Sequence, residues 1–218
     1  MDMQQPLGRA KPRLRGVFHE WACALAVPLG IALGLSASNA RAQVAASVFA
    51  ASVVAMFGAS ALYHRPTWRA SSRLRLRRLD HAAIYGLIAG TYTPFGLLVL
   101  RDEWRVVVLA IVWSGAAAAI LLKFVWPGAP RWLAAIVGIS LGWVGVVAFP
   151  QLLAGTGVAC SLMILGGGLL YSAGATIYAL RRPDPLPAVF GYHEIFHLMV
   201  IAAVALQYAA IAFFVLPT

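Results

Sequence analysis

GYHEIFHLMVIAAVALQYAAIAFFVL, residues 191–216, opens on a polar turn and continues as an apolar helix. The run over 193–216 exceeds the ~20 residues that a helix needs to cross a bilayer's hydrocarbon core. Its first turn holds His193, Glu194 and His197, which read as H-E-x-x-H, the pattern of zinc-protease helices. A chemically equipped turn therefore sits on a segment suited to lipid.

Six further apolar runs lie upstream, at about 17–37, 42–63, 79–100, 105–126, 131–150 and 158–180. The chain is 61% hydrophobic and 11% charged, with a mean hydropathy of +0.82. Soluble domains are nearer ~45–50% apolar and ~25% charged. The expected fold is all-α, a polytopic membrane protein with a seven-transmembrane-helix bundle. Short connections leave no separate soluble domain, so any chemistry is built inside the bundle. Residues 1–16 read as a basic cytoplasmic tail and 17–218 as one seven-helix domain.

RAKPRLRG (9–16) before the first run and NARAQ (39–43) after it imitate a secretory signal. The run is longer than the ~7–15 residues of a signal's apolar core, and it carries His19 and Glu20. It is expected to remain as the first helix. Cys23 and Cys160 fall within or beside apolar runs and read as packing residues.

The net charge of +10 would suggest nucleic acid in a soluble protein. Here its placement matters more, because Lys and Arg accumulate on the cytoplasmic side. Fourteen of the seventeen basic residues, from Arg9 to Arg182, fall on the side of the amino terminus. Arg41, Arg101 and Arg105 fall on the other. The expected topology has the N-terminus inside and the C-terminus outside. The basic residues become orientation signals that also meet anionic headgroups, and no nucleic-acid partner is expected.

With that topology, His19, Glu20, His64, Asp80, His81, His193, Glu194 and His197 all lie at the cytoplasmic end of the bundle. Ionisable groups inside a membrane helix are costly and need partners. His193 and His197 share a helix face, as do Ser60 and His64. Zinc takes about four ligands, and a catalytic zinc keeps one position for water. His64, His193 and His197 are expected as imidazole ligands, Asp80 as the acceptor for the water's proton, and Ser60 as a group orienting that water or a ligand. Each residue also has a plainer reading. His19 and His81 suit interface anchors, and Asp80 beside Arg77 and Arg78 suits an ion pair at a helix start. Convergence at one depth favours the metal.

Gly30-x-x-x-Gly34, Gly86-x-x-x-Gly90 and Gly138-x-x-x-Gly142 read as close-approach points between helices. Pro94 is expected to kink its helix.

FGASALYHRPTW (57–68), LDHAAIYGLIAGTYTPF (79–95) and FGYHEIFHLMVIAA (190–203) resemble the signature segments of the hemolysin III family. That family is the bacterial branch of the progestin and adipoQ receptors, related to alkaline ceramidases. The resemblance spans essentially the whole chain. It implies seven helices in a bacterial inner membrane, a zinc held by His64, His193 and His197, Asp80 on the zinc water and Ser60 in support. It also implies a zinc-dependent hydrolase of lipid amides such as ceramides, with membrane lipid as substrate or effector. On that reading Tyr63 or Ser60 steadies the developing oxyanion. Two rivals stay open. One is a non-enzymatic membrane-state sensor or cytolysin with a structural zinc closed by Asp80 or His81. The other is an intramembrane metalloprotease with Glu194 as general base. Transport is weaker, since inverted repeats and paired broken helices are not evident.

Overall fold

The computed structural model describes residues 11–217. Residues 1–10 of the expected tail, including Arg9, lie outside the described residues. The elements are α1 (Val17–Leu35), α2 (Ala40–His64), α3 (Ala70–Leu98), α4 (Asp102–Val125), α5 (Arg131–Gly142), α6 (Phe149–Leu180) and α7 (Tyr192–Ala210). A 3-10 segment, Val144–Ala148, joins α5 to α6, and a π segment, Ile211–Val215, follows α7.

Local chemistry sets several boundaries. Asn39 is extended and its side-chain oxygen accepts from the Ala42 amide at 2.9 Å, so α2 starts there. Asp102 and Glu103 occupy the first turn of α4 and Lys123 the last, the polarity that the helix dipole favours. Within α6, Gly157 has φ 79° and ψ 177°, a backbone state open to glycine and costly for other residues. It divides α6 into two helical stretches. α3 runs through Pro94 to Leu98.

Five helical stretches are long and apolar enough to cross a membrane: Val17–Leu35, Ala40–His64, Asp102–Val125, the joined Arg131–Leu180 and Tyr192–Val215. The seven expected runs thus reduce to five by length and composition. Two reasons are visible. The runs at 131–150 and 158–180 are counted as one stretch because α6 continues from Phe149 across Gly157 to Leu180, and α3 is diluted by its arginines, threonines, tyrosines and Pro94. Large apolar side chains such as Leu35, Val106, Val125 and Phe213 point outward, which suits a surface facing lipid.

Neighbouring helices pack pairwise, α1 on α2, α2 on α3, α3 on α4 and α6 on α7. Phe49, Met56, Phe57, Leu87, Val200 and Val204 form one core cluster, joining α2, α3 and α7. Tyr85, Ala89, Val108, Val112, Ala116 and Leu141 form another, joining α3, α4 and α5. α3 therefore contributes to both. The glycine pairs divide in use. A Cβ on Gly90 would overlap the Ser52 side chain of α2, and one on Gly30 would come within 2.9 Å of Ala50 Cβ. Gly86, Gly138 and Gly142 have nothing within 4 Å of such an atom, so they are not contact points.

Gly90→Ala is expected to destabilise the bundle by ~1–3 kcal/mol through overpacking, read as a lower melting temperature in detergent, while Gly86→Ala stays near wild type. Equal melting of the two variants would show that α2 and α3 do not meet at Gly90.

Candidate metal centre

The first turn of α7 is held by side chains on both sides of Gly191. The Glu194 carboxylate accepts from the Gly191 amide at 2.8 Å and from Arg15 Nε at 2.6 Å. The Tyr192 amide donates to Asp184 Oδ1 at 3.1 Å. Glu194 is 0% exposed, and a buried carboxylate of this kind needs a charged partner. Arg15 reaches it because residues 13–15 form a strap. The amides of Arg13 and Leu14 donate to the carbonyls of Ala188 and Val189 at 3.1 and 3.2 Å. The described part of the expected tail is therefore docked on the turn before α7. Gly16 lets the strap turn into α1 with φ 80°, and a Cβ there would stand 2.6 Å from His64 Cβ.

That packing brings three histidines together. His64 ends α2, while His193 and His197 lie one turn apart on α7, and all three are buried. One ring nitrogen from each lies within 4.8 Å of the others. His64 Nε2 and His193 Nε2 are 3.2 Å apart. Asp80 Oδ2 stands 3.8 Å from His64 Nε2. His197 Nδ1 is buried without a hydrogen-bond partner among the described residues. Two facing ring nitrogens, an orphaned third and a carboxylate alongside are a set that can hold a metal ion.

The other expected residues separate clearly. His19 is no interface anchor: it is 2% exposed and stacks on His197 with centroids 3.8 Å apart and planes at 10°. Its Nδ1 pairs with Ser60 Oγ at 2.8 Å, so Ser60 serves His19 directly and also interacts with Asp80. His81 uses both ring nitrogens within the protein. Nδ1 donates to the Arg77 carbonyl at 2.7 Å, and Nε2 accepts from the Tyr178 hydroxyl at 3.1 Å. It has no lone pair left for a metal. Glu20 is exposed and pairs with Arg65 Nε at 2.6 Å. Tyr63 packs its ring against His64 at 4.5 Å. Glu194 gives one oxygen to Arg15 and the other to the Gly191 amide, contacts that serve the first turn of α7.

Three residues of the site went unread in the sequence. Arg15 and Lys123 were counted as orientation charges, and Tyr178 was one tyrosine among seven. Arg15 meets Glu194 across 179 positions, and Tyr178 meets His81 across 97. No local spacing signals either pairing.

The cluster opens on a largely apolar cavity of about 210 Å³. His19, Asp80 and His193 line one part of it, and Phe95, Leu152 and Gln207 another. His197 and Gln207 are ten residues apart on α7, a rise of ~15 Å. The lining is largely apolar, with the histidines and Asp80 among its polar groups and Thr91, Ser172 and Gln207 elsewhere in it.

The family model described as haemolysin-III related matches residues 7–208. The chain is 35% identical to hemolysin-3 of Bacillus cereus over 206 residues, covering 93% of this chain and 90% of that protein. It is 32% identical to a hemolysin-3 homolog of Bacillus subtilis (strain 168) over 194 residues, 87% of each.

Metal analysis of purified protein is expected to find about one transition-metal ion per chain, from one cluster with room for one ion. His64→Ala, His193→Ala and His197→Ala should each lose it. His81→Phe should keep it, and loss of metal from that variant would overturn the assignment of His81 to Arg77 and Tyr178.

Proposed function

The chain belongs to the haemolysin III family, and on that footing we propose that it is a membrane zinc hydrolase of lipid amides. The observation that carries the reading is the convergence of His64, His193, His197 and Asp80, with Asp80, His193 and His197 lining a largely apolar cavity.

Zinc suits the donor set. Two nitrogens on one tetrahedral zinc at ~2.0–2.1 Å lie ~3.3–3.4 Å apart, against 3.2 Å between His64 and His193. Three imidazoles without thiolate leave a fourth position open, as in catalytic sites. Zinc, when bound, supplies a Lewis acid that polarises a carbonyl and makes water nucleophilic near neutral pH.

The chain's own groups do the rest. The apolar cavity takes the acyl chain and keeps bulk water out. The Asp80 carboxylate accepts the proton of the attacking water and returns it to the leaving nitrogen. Amide plus water thus gives a fatty acid and an amine, with the proton conserved. The His81–Tyr178 bond and the Ser60–His19 bond hold the walls around Asp80. The lipid enters sideways from the inner leaflet, since the cluster lies at the basic end of the bundle.

The membrane is the bacterial inner membrane, crossed by seven helices, with the break at Gly157 separating the fifth from the sixth. The amino terminus is cytoplasmic and the carboxy terminus outside, as the asymmetry of Lys and Arg supports. Alkaline phosphatase fused to the carboxy terminus is expected to be active, and an inactive, stably expressed fusion would reverse the topology.

A second reading has its own support. The relatives carry the name hemolysin-3, which favours a cytolytic or membrane-sensing protein with a structural metal. Asp80→Asn separates the two. On the hydrolase reading it keeps the metal and lowers cleavage of a fluorogenic ceramide-like amide by ~10²–10⁴-fold. Cleavage at the wild-type rate would sink the role given to Asp80. Metal without cleavage in the wild type would favour the structural reading.

A further inference from the structure

α4 presents Val108, Val112, Ala116, Ala119 and Lys123 as its buried stripe. Four of these are the small or branched apolar residues that such a stripe requires. Lys123 is a cation at the same register. It is 9% exposed, while Leu121 and Phe124 beside it are 63% and 47% exposed. A lysine near a helix end in a membrane normally snorkels outward to the headgroups. This one turns inward and lines the cavity.

Its surroundings do not neutralise it. Among the described residues no carboxylate lies within 4.0 Å of its ammonium, and no hydrogen bond to it is formed. Its close partner is the face of Tyr85, with Nζ 5.9 Å from the ring centroid. A cation–π contact at that distance is a weak substitute for a counter-ion. A buried, unpaired charge is expensive, and such groups in membrane proteins mark binding sites.

The location ties it to the histidine cluster. Tyr85 is one turn beyond His81 on α3, and His81 adjoins Asp80. Tyr85, His81 and Asp80 line the same cavity as Lys123. The Tyr85 ring that the ammonium faces is therefore on the residue five positions along α3 from Asp80, a rise of ~7.5 Å, near where a lipid's head would lie if its amide faced Asp80.

We propose that Lys123 is an anion-binding subsite of this cavity, taking a carboxylate or phosphate carried close to the lipid's amide. Resting on the hydrolase reading, it makes the preferred substrate an acidic lipid amide, of which N-acyl amino acids are the simplest class, rather than a neutral one.

The test is binding, which needs no turnover. Purified full-length protein is titrated with N-dodecanoylglycine and with N-dodecanoylethanolamine, equal chains with acidic and neutral heads, and inorganic phosphate is added as a headless competitor. The wild type is expected to bind the acidic amide at least tenfold more tightly. Lys123→Gln should bind the two alike, and Lys123→Arg should restore the preference. Melting temperature and metal content show whether each variant is folded. Competition by phosphate in the wild type, but not in Lys123→Gln, would uphold the anion subsite with a free anion as its occupant. Equal binding of the two amides by the wild type would overturn the proposal. So would a preference that survives in Lys123→Gln. Absence of cleavage would count against the hydrolase reading and leave this result untouched.

Discussion

Three buried imidazoles meet where the end of α2 reaches the start of α7, and the rest of the site is arranged around them. Each neutral ring has one donor and one acceptor nitrogen. His64 Nε2 and His193 Nε2 can share one N–H···N bond across 3.2 Å, while His197 Nδ1 is left without a partner among the described residues. On the proposed reading a cation takes one lone pair from each ring, and the acidic Asp80 offsets part of the added charge. On that reading the ends of α2 and α7, which carry the three ligands, depend on that ion.

The second layer is electrostatic and equally buried. Glu194 would be a liability beside the histidines if it were left alone. Arg15 and the Gly191 amide occupy both of its oxygens, and the strap that delivers Arg15 is fixed by backbone bonds to Ala188 and Val189. Removing one member of such a pair strands the other charge and costs ~3–5 kcal/mol. The strap, the first turn of α7 and the end of α2 thus form one unit: Gly16 lies against His64, and Arg15 lies against the helix that bears His193 and His197.

Much of this was legible in the sequence and some was not, for identifiable reasons. The apolar runs and the i, i+4 histidines were readable because they are local patterns. His64 was readable because charge asymmetry places the end of α2 at the depth where α7 begins. Arg15, Tyr178 and Lys123 were not, because their roles are set by partners on other helices. His19 suits an anchor in the sequence because it stands alone at the expected membrane interface. Its burial comes from His197 and Phe57, on α7 and α2. The glycine motifs show the same limit. Spacing marked three pairs, and tertiary packing uses Gly30 and Gly90 while leaving Gly86, Gly138 and Gly142 open.

The account stands on the histidine cluster being a metal centre with an open position. X-ray absorption at the zinc edge, on protein purified without added metal, tests that most directly. Zinc with three imidazole nitrogens and one further light atom at ~2.0–2.1 Å is the predicted result. A spectrum with four imidazoles or with sulfur, or protein that carries no zinc, would contradict it.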